Sequence, residues 1–180
     1  VTSSSIFSFR IFKNDIELIK FIRYMMVEIF DKDFRFVPEK ETNQGTMILS
    51  SKFIYKFIDE YVYYNNNKTL TIELKESLDN YSTDFLKGFL LGLTLSDGYV
   101  KERFIFNVIS KNLVGNLNYI LEKFNYSPKF SIVERNNPKW HKLYKISLDK
   151  KSTILIKEFL NNIISLSGFS TNIDKLKRYN

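Results

Sequence analysis

STDFLKGFLLGLTLSDGYV, running from Ser82 to Val100, carries a start signal, an apolar body and a stop signal for one helix. Ser82 or Thr83 can cap the first turn, and Asp84 sits where the N-terminal dipole favours a carboxylate. Leu86, Phe89, Leu90, Leu93 and Leu95 make the segment apolar almost all round, which predicts a buried helix over 83–97. Gly98 is positioned to end it in a left-handed conformation.

Two features are unusual for a core helix. Gly88, Gly92 and Ser96 recur every four residues and form a stripe of small side chains. A glycine inside a helix costs roughly 1 kcal/mol against alanine. Close approach of a second helix backbone is the usual reason to accept that cost. The other feature is Asp97, a carboxylate at the end of the helix whose dipole repels it. A nearby cation would relieve the repulsion. Together they predict a tight helix pair with an acid at its tip and a metal ion beneath.

With 180 residues the chain is long enough for one domain with a real core or for two half-domains. Lys and Arg outnumber Asp and Glu by 27 to 20, a formal charge of +7, which points to a polyanionic partner. There is no cysteine, so disulfides, thiolate zinc sites and a cysteine nucleophile are excluded. No secretory signal is visible and the apolar run from Phe85 to Leu95 is too short to span a membrane. An intracellular protein, in the cytoplasm or an organelle, is the expectation. The first residue is Val1 rather than Met, which fits processing or excision from a longer product.

Outward from the central helix, the same order occurs on both sides. Residues 5–12 alternate as a strand, with Phe7, Phe9 and Ile11 on one face. A helix capped by Asn14 or Asp15 follows to about Phe30, its apolar side formed by Ile16, Ile19, Ile22, Met25 and Met26. Phe34–Val37 and Thr46–Ser50 read as a hairpin, and Lys52 to about Tyr63 as a helix. On the other side come a strand at Glu102–Ser110, a helix capped by Asn112, strands at Lys129–Glu134 and Leu143–Leu148, and a helix at Ser152–Leu166 closed by Gly168. The triplets Phe7/Phe9/Ile11 and Phe104/Phe106/Val108 lie 97 residues apart, which marks an internal repeat. The first repeat spans 1–67, a polar connector 68–81, and the second repeat 82–180. Val1 stands where Val100 stands, so the symmetry predicts a further helix before residue 1, with its own acidic tip.

Leu90-Leu91-Gly92-Leu93-Thr94-Leu95-Ser96-Asp97-Gly98 resembles the LAGLIDADG motif of homing endonucleases and intron maturases, with direct matches at residues 90, 92, 93, 97 and 98. The flanking Phe85-Leu86-Lys87-Gly88-Phe89 and the order of elements extend the resemblance over essentially the whole chain. It implies an α+β fold of two pseudo-twofold repeats, each (α)ββαββα-like, whose curved antiparallel sheets form a saddle on double-stranded DNA. It implies two motif helices packed through Gly88, Gly92 and Ser96. It also implies Mg²⁺ or Mn²⁺ at Asp97, with Gly98 beside it, for phosphodiester hydrolysis. Intein-type members place a lysine near the metals after each repeat's last helix, and Lys68 and Lys175 hold comparable places. Two departures stand out. The motif's earlier acid is Leu95 here, and the first motif would have to come from a preceding segment or a separate chain. The chain alone should therefore cut poorly.

Strand alternation selects the residues opposite the core face as candidates for DNA: Ser8, Arg10, Arg35, Lys101, Arg103, Asn107, Lys129, Ser131, Arg135 and Lys145. Arginine reads guanine and asparagine adenine in the major groove, while Lys and Ser more often hold phosphate. A competing reading is a non-catalytic nucleic-acid binder on the same fold: an RNA maturase, a regulator or a decayed endonuclease. A third is a homodimer pairing two Gly88/Gly92 faces.

Overall fold

Alternation along IFSFRIF is realised as strand β1 (Ile6–Phe12), with Ile11 buried, Phe9 half-buried, and Ser8, Arg10 and Phe12 outward. The computed structural model describes residues 6–100, 102–135, 137, 140–169, 173 and 176, and only the backbone of residues 7, 68 and 69. Helix α1 (Ile16–Phe30) starts at Asp15, whose side chain makes no capping bond, and closes with Asp31 in the left-handed region at φ 50°. It buries Leu18, Ile19 and Phe21, while Ile16 stays exposed. β2 (Arg35–Pro38) and β1 both pair antiparallel with β3 (Gln44–Ser50), in the sheet order β1-β3-β2. β3 alternates cleanly, with Gly45, Met47 and Leu49 inward. Helix α2 (Lys52–Tyr61) is capped by Ser51, whose side chain accepts from the Ile54 N–H at 3.3 Å.

The polar connector has structure of its own. β4 (Val62–Tyr63), directly after α2 and still in the first repeat, pairs with β5 (Glu73–Leu74) of the connector, which also holds a short helix α3 (Lys68–Thr71) and a 3₁₀ turn at Leu78–Asn80. The connector's backbone is pinned to the second repeat. The Leu74 N–H donates to Asn116 Oδ1 at 3.1 Å, and Ser110 Oγ donates to the Ile72 carbonyl at 2.8 Å.

The second repeat opens with α4 (Thr83–Ser96) and continues through β6 (Gly98–Val100), β7 (Phe104–Val108), α5 (Lys111–Lys123), β8 (Lys129–Val133), β9 (Leu143–Ser147) and α6 (Lys150–Leu166). One cap and one helix start differ from expectation, α6 beginning at Lys150 rather than Ser152. Ser110, not Asn112, caps α5 by accepting from the Leu113 N–H, and Asp149 caps α6 by accepting from the Ser152 N–H. Each sits in extended backbone immediately before the first helical turn, where a short oxygen side chain reaches the free N–H groups. Gly168 follows α6 with φ 81°, the left-handed stop expected there.

The sheet order β6-β7-β9-β8 contains the first sheet's pattern, with β1, β3 and β2 matching β7, β9 and β8. An α+β fold of two related repeats is therefore the architecture. Aromatic stacking of Tyr61 and Tyr81 on Phe85, at centroid distances of 5.0 and 4.5 Å, joins α2 to α4. Tyr24 Oη of α1 donates to the Ser167 carbonyl at 2.9 Å, and Phe169 packs on Phe21 and Tyr24, which joins the repeats at the end of α6. Among the described residues no helix is long and apolar enough to cross a membrane.

Candidate functional site: the groove between the repeats

The central helix forms because its start is capped and its body buries one face. Ser82 Oγ accepts from the Phe85 N–H at 3.1 Å. Leu86, Leu90, Leu91, Thr94 and Leu95 are buried, and Thr94 hides its hydroxyl by donating to the Leu90 carbonyl at 2.7 Å. The opposite stripe, Gly88, Gly92 and Ser96, is exposed. A Cβ added at Gly88 or Gly92 would meet no atom within 4 Å. The stripe faces a groove of about 1040 Å³ between the repeats. Its walls are Phe9 and Ile11 of β1, Leu18, Phe21, Ile22 and Met25 of α1, and Leu91 and Leu95 of α4. Its polar lining includes Arg10, Asp15, Gln44, Ser96 and Asp97.

Asp97 is the C-terminal cap of α4, exposed, with its N–H bonded to the Leu93 carbonyl at 3.0 Å. The last turn of α4 holds no basic side chain to offset the charge against the dipole. Gly98 does not adopt the left-handed stop. It runs directly into β6, and its lack of a side chain serves a different need: a Cβ there would lie 2.7 Å from the Thr94 carbonyl oxygen and 2.9 Å from Thr94 Cα. Only glycine lets the strand leave so close to the last helical turn.

Divalent Mg²⁺ and Mn²⁺ favour oxygen donors, and Mg²⁺ takes about six of them. Asp97 is such a donor, at the right chemical class and exposed to the groove. Among the described residues it belongs to no group of three His, Cys, Asp or Glu side chains able to hold a metal. The donor chemistry fits, and the donor set is partial. Lys68 contributes only its backbone, at the start of α3, to the description. Lys101 and Lys175 lie outside the described residues.

The outer faces of the two sheets collect the remaining candidates into rows. In the first sheet, register sets Ser8, Ile48 and Arg35 across one row, and Arg10, Thr46 and Val37 across the next. In the second, Ile105, Ser147 and Lys129 form one row, and Asn107, Lys145 and Ser131 the other. Arg10 also pairs with Glu39 at 3.3 Å, an exposed contact of small energetic weight. Arg103 sits off the ladder, exposed in the turn between β6 and β7. Arg135 lies past the end of β8, its guanidinium 5.7 Å from the Trp140 ring centre. Gln44, Thr46, Ile48, Ile105 and Ser147 share these outer faces without having been selected by charge. Strand parity alone could have found them, but only pairing register says which rows they join.

Compared with known proteins, the chain matches no family model, and none of the curated proteins is similar in sequence. Its fold does have relatives among solved structures. The homing endonuclease I-DmoI, in a structure with DNA and Ca, superposes with a TM-score of 0.64 over 92% of this chain and 84% of that one, at 11% identity. A structure of mesophilic I-DmoI variants gives 0.62 over 87% and 75%, at 12% identity. The N-terminal LAGLIDADG domain of DUF199/WhiA gives 0.53 over 98% and 78%, at 15% identity. The chain therefore has a LAGLIDADG-like fold.

Proposed function

We propose that this chain is the main body of a two-motif endonuclease acting on double-stranded DNA, completed by one further helix in the groove between its repeats. The observation that carries this reading is the groove itself. It is apolar along its walls, it runs beside an uncovered stripe of Gly88, Gly92 and Ser96, and Asp97 lies among its polar lining. An apolar helix with a small-residue face fits such a groove, because side chains of minimal size let two backbones approach closely. A preceding segment or a separate chain supplies it. An acid at its tip would join Asp97 and raise the donor count toward what a divalent ion takes.

The chemistry then divides among named groups. Asp97, with Gly98 beside it, would hold Mg²⁺ or Mn²⁺, and the ion would supply a lowered pKa for an attacking water and charge stabilisation for the leaving oxygen. The outer rows of both sheets hold the duplex, Arg10, Arg35 and Asn107 toward base edges and Lys129, Lys145, Ser8 and Ser131 toward phosphates. Lys101, Arg103 and Arg135 extend that contact. Lys68 and Lys175 are the lysines assigned to the reacting phosphate. The solved I-DmoI complexes with DNA and Ca or Mn support this reading through the shared fold. The net charge of +7 supports it through electrostatics, and affinity should fall steeply with salt.

The test joins a helix to the chain: about 16 residues, small at every fourth position, ending in Asp-Gly, fused ahead of residue 1 by a flexible linker. Linearisation of supercoiled plasmid in Mg²⁺ is the readout. The fused protein cuts, and Asp97→Asn lowers the rate at least about 100-fold, the scale of losing a metal-held charge at the transition state, while duplex affinity is kept. Binding without cleavage in the fused protein would instead favour a non-catalytic nucleic-acid binder. That Asp97 belongs to no group of three metal-binding side chains among the described residues is the observation on that side.

A further inference from the structure

Each sheet places an isoleucine on its outer face in a row that also holds a serine and a cation, and the first sheet has a further one, Ile6, exposed at the start of β1. Ile48 lies in the central strand β3 between the inward Met47 and Leu49, and Ile105 lies in β7 between the inward Phe104 and Phe106. Both are half-buried by their neighbours rather than by a covering layer. Their rows have matching contents. One is Ser8–Ile48–Arg35 and the other Ile105–Ser147–Lys129, each with a serine, an isoleucine and a terminal cation, and Tyr99 of β6 extends the second row beyond its isoleucine. The match of β1, β3 and β2 to β7, β9 and β8 aligns Arg35 with Lys129. It also exchanges the serine and the isoleucine between the first two matched strands, β1 and β3 against β7 and β9.

We propose that Ile48 and Ile105 each read a thymine methyl group, one in each half of the DNA target. This rests on the double-stranded DNA reading above and specifies the target. In the major groove thymine alone presents a methyl, and apolar side chains recognise it by packing. The flanking Arg35 and Lys129 hold the adjacent phosphates or guanine edges, which presses the aliphatic side chain against the bases. The serines are small enough to leave that approach open. Because isoleucine and serine are exchanged, the two methyl contacts are offset by one strand spacing, about 4.8 Å. The two thymines therefore do not occupy symmetry-related positions in the two halves of the target.

The test begins with selection of bound duplexes from a randomised double-stranded pool by the full chain. The selected duplex is then compared with copies in which deoxyuridine replaces thymidine in one half or the other. That change deletes methyls and keeps the pairing. Each replaced half lowers affinity roughly fourfold, the effect of one buried methyl-sized group. Ile48→Ala abolishes the uridine effect in one half and leaves the other, and Ile105→Ala does the reverse. Circular dichroism confirms that the variants are folded. Equal affinity for thymidine and uridine duplexes, with sequence selection intact, overturns the methyl reading alone. Failure to enrich any sequence overturns the DNA reading on which it rests.

Discussion

The two repeats share a sheet pattern and differ in cover. The second carries α4 among its own core, and among the described residues eleven of the twelve apolar side chains with no accessible surface lie outside the first repeat. In the first, Met47 is the one such residue among those described. Its Phe9 and Ile11 face a groove, and Ile16, Ile29 and Phe53 remain on the surface. The comparison teaches that alternation alone makes a strand amphipathic, whereas a second layer is needed to turn one face into a core. The same residue pattern gives a finished unit on one side and an open one on the other.

That contrast can be broken in four ways, taken from the largest effect down. Phe106→Ala removes a wholly buried ring from the covered repeat and should cost about 3–5 kcal/mol. Met47→Ala at the matching depth of the open repeat should cost about 2 kcal/mol, the low end for such a truncation, because the groove lets the site relax. Urea titrations of both variants decide this, and equal costs would erase the distinction. Gly98→Ala drives a methyl into the Thr94 backbone, so a loss of about 1–3 kcal/mol is expected by thermal unfolding.

Gly92→Ala has the opposite sign. Nothing lies within 4 Å of the new methyl, so the chain gains about 1 kcal/mol of helix propensity. The same substitution weakens cleavage in the helix-fused protein, because the methyl occupies the surface where the added helix packs. A stabilised chain with undiminished cleavage would show that the groove is not where that helix lies.

The smallest effect lies in the open repeat. A hydrogen bond from Arg23 Nε, 2.8 Å from Asp33 Oδ1, is the main cause holding the Asp33 carboxyl below its ordinary range. The same pair raises Arg23. A depressed folded-state pKa stabilises above the unfolded value and is lost as pH falls through the folded one. Both side chains are more than a third exposed, so solvent screening holds the contribution below about 1 kcal/mol. Asp33→Asn should be slightly less stable than the parent near neutral pH and equal to it in strong acid, as thermal melts across that range would show.

Much of this was legible along the chain. The motif helix began at Thr83 behind its serine cap as expected, and the strand pairs and closing Gly168 fell where periodicity and turn chemistry put them. The misses share a cause. Spacing points to Asn112 where Ser110 caps, and to a left-handed Gly98 where the chain runs straight into β6, because a cap's identity depends on where the backbone leaves the helix. The connector read as plain polar chain because Asn116 and Ser110, which hold it, are distant in sequence.

Sequence by itself determined the small stripe, the acid at its end and the repeat that makes two sheets. These follow from spacing, which local geometry converts directly into faces. Only the tertiary structure decided that the stripe lies open along a groove, and which outward side chains stand side by side. Those depend on register and on the placement of the two repeats, which long-range contacts set and no local pattern encodes.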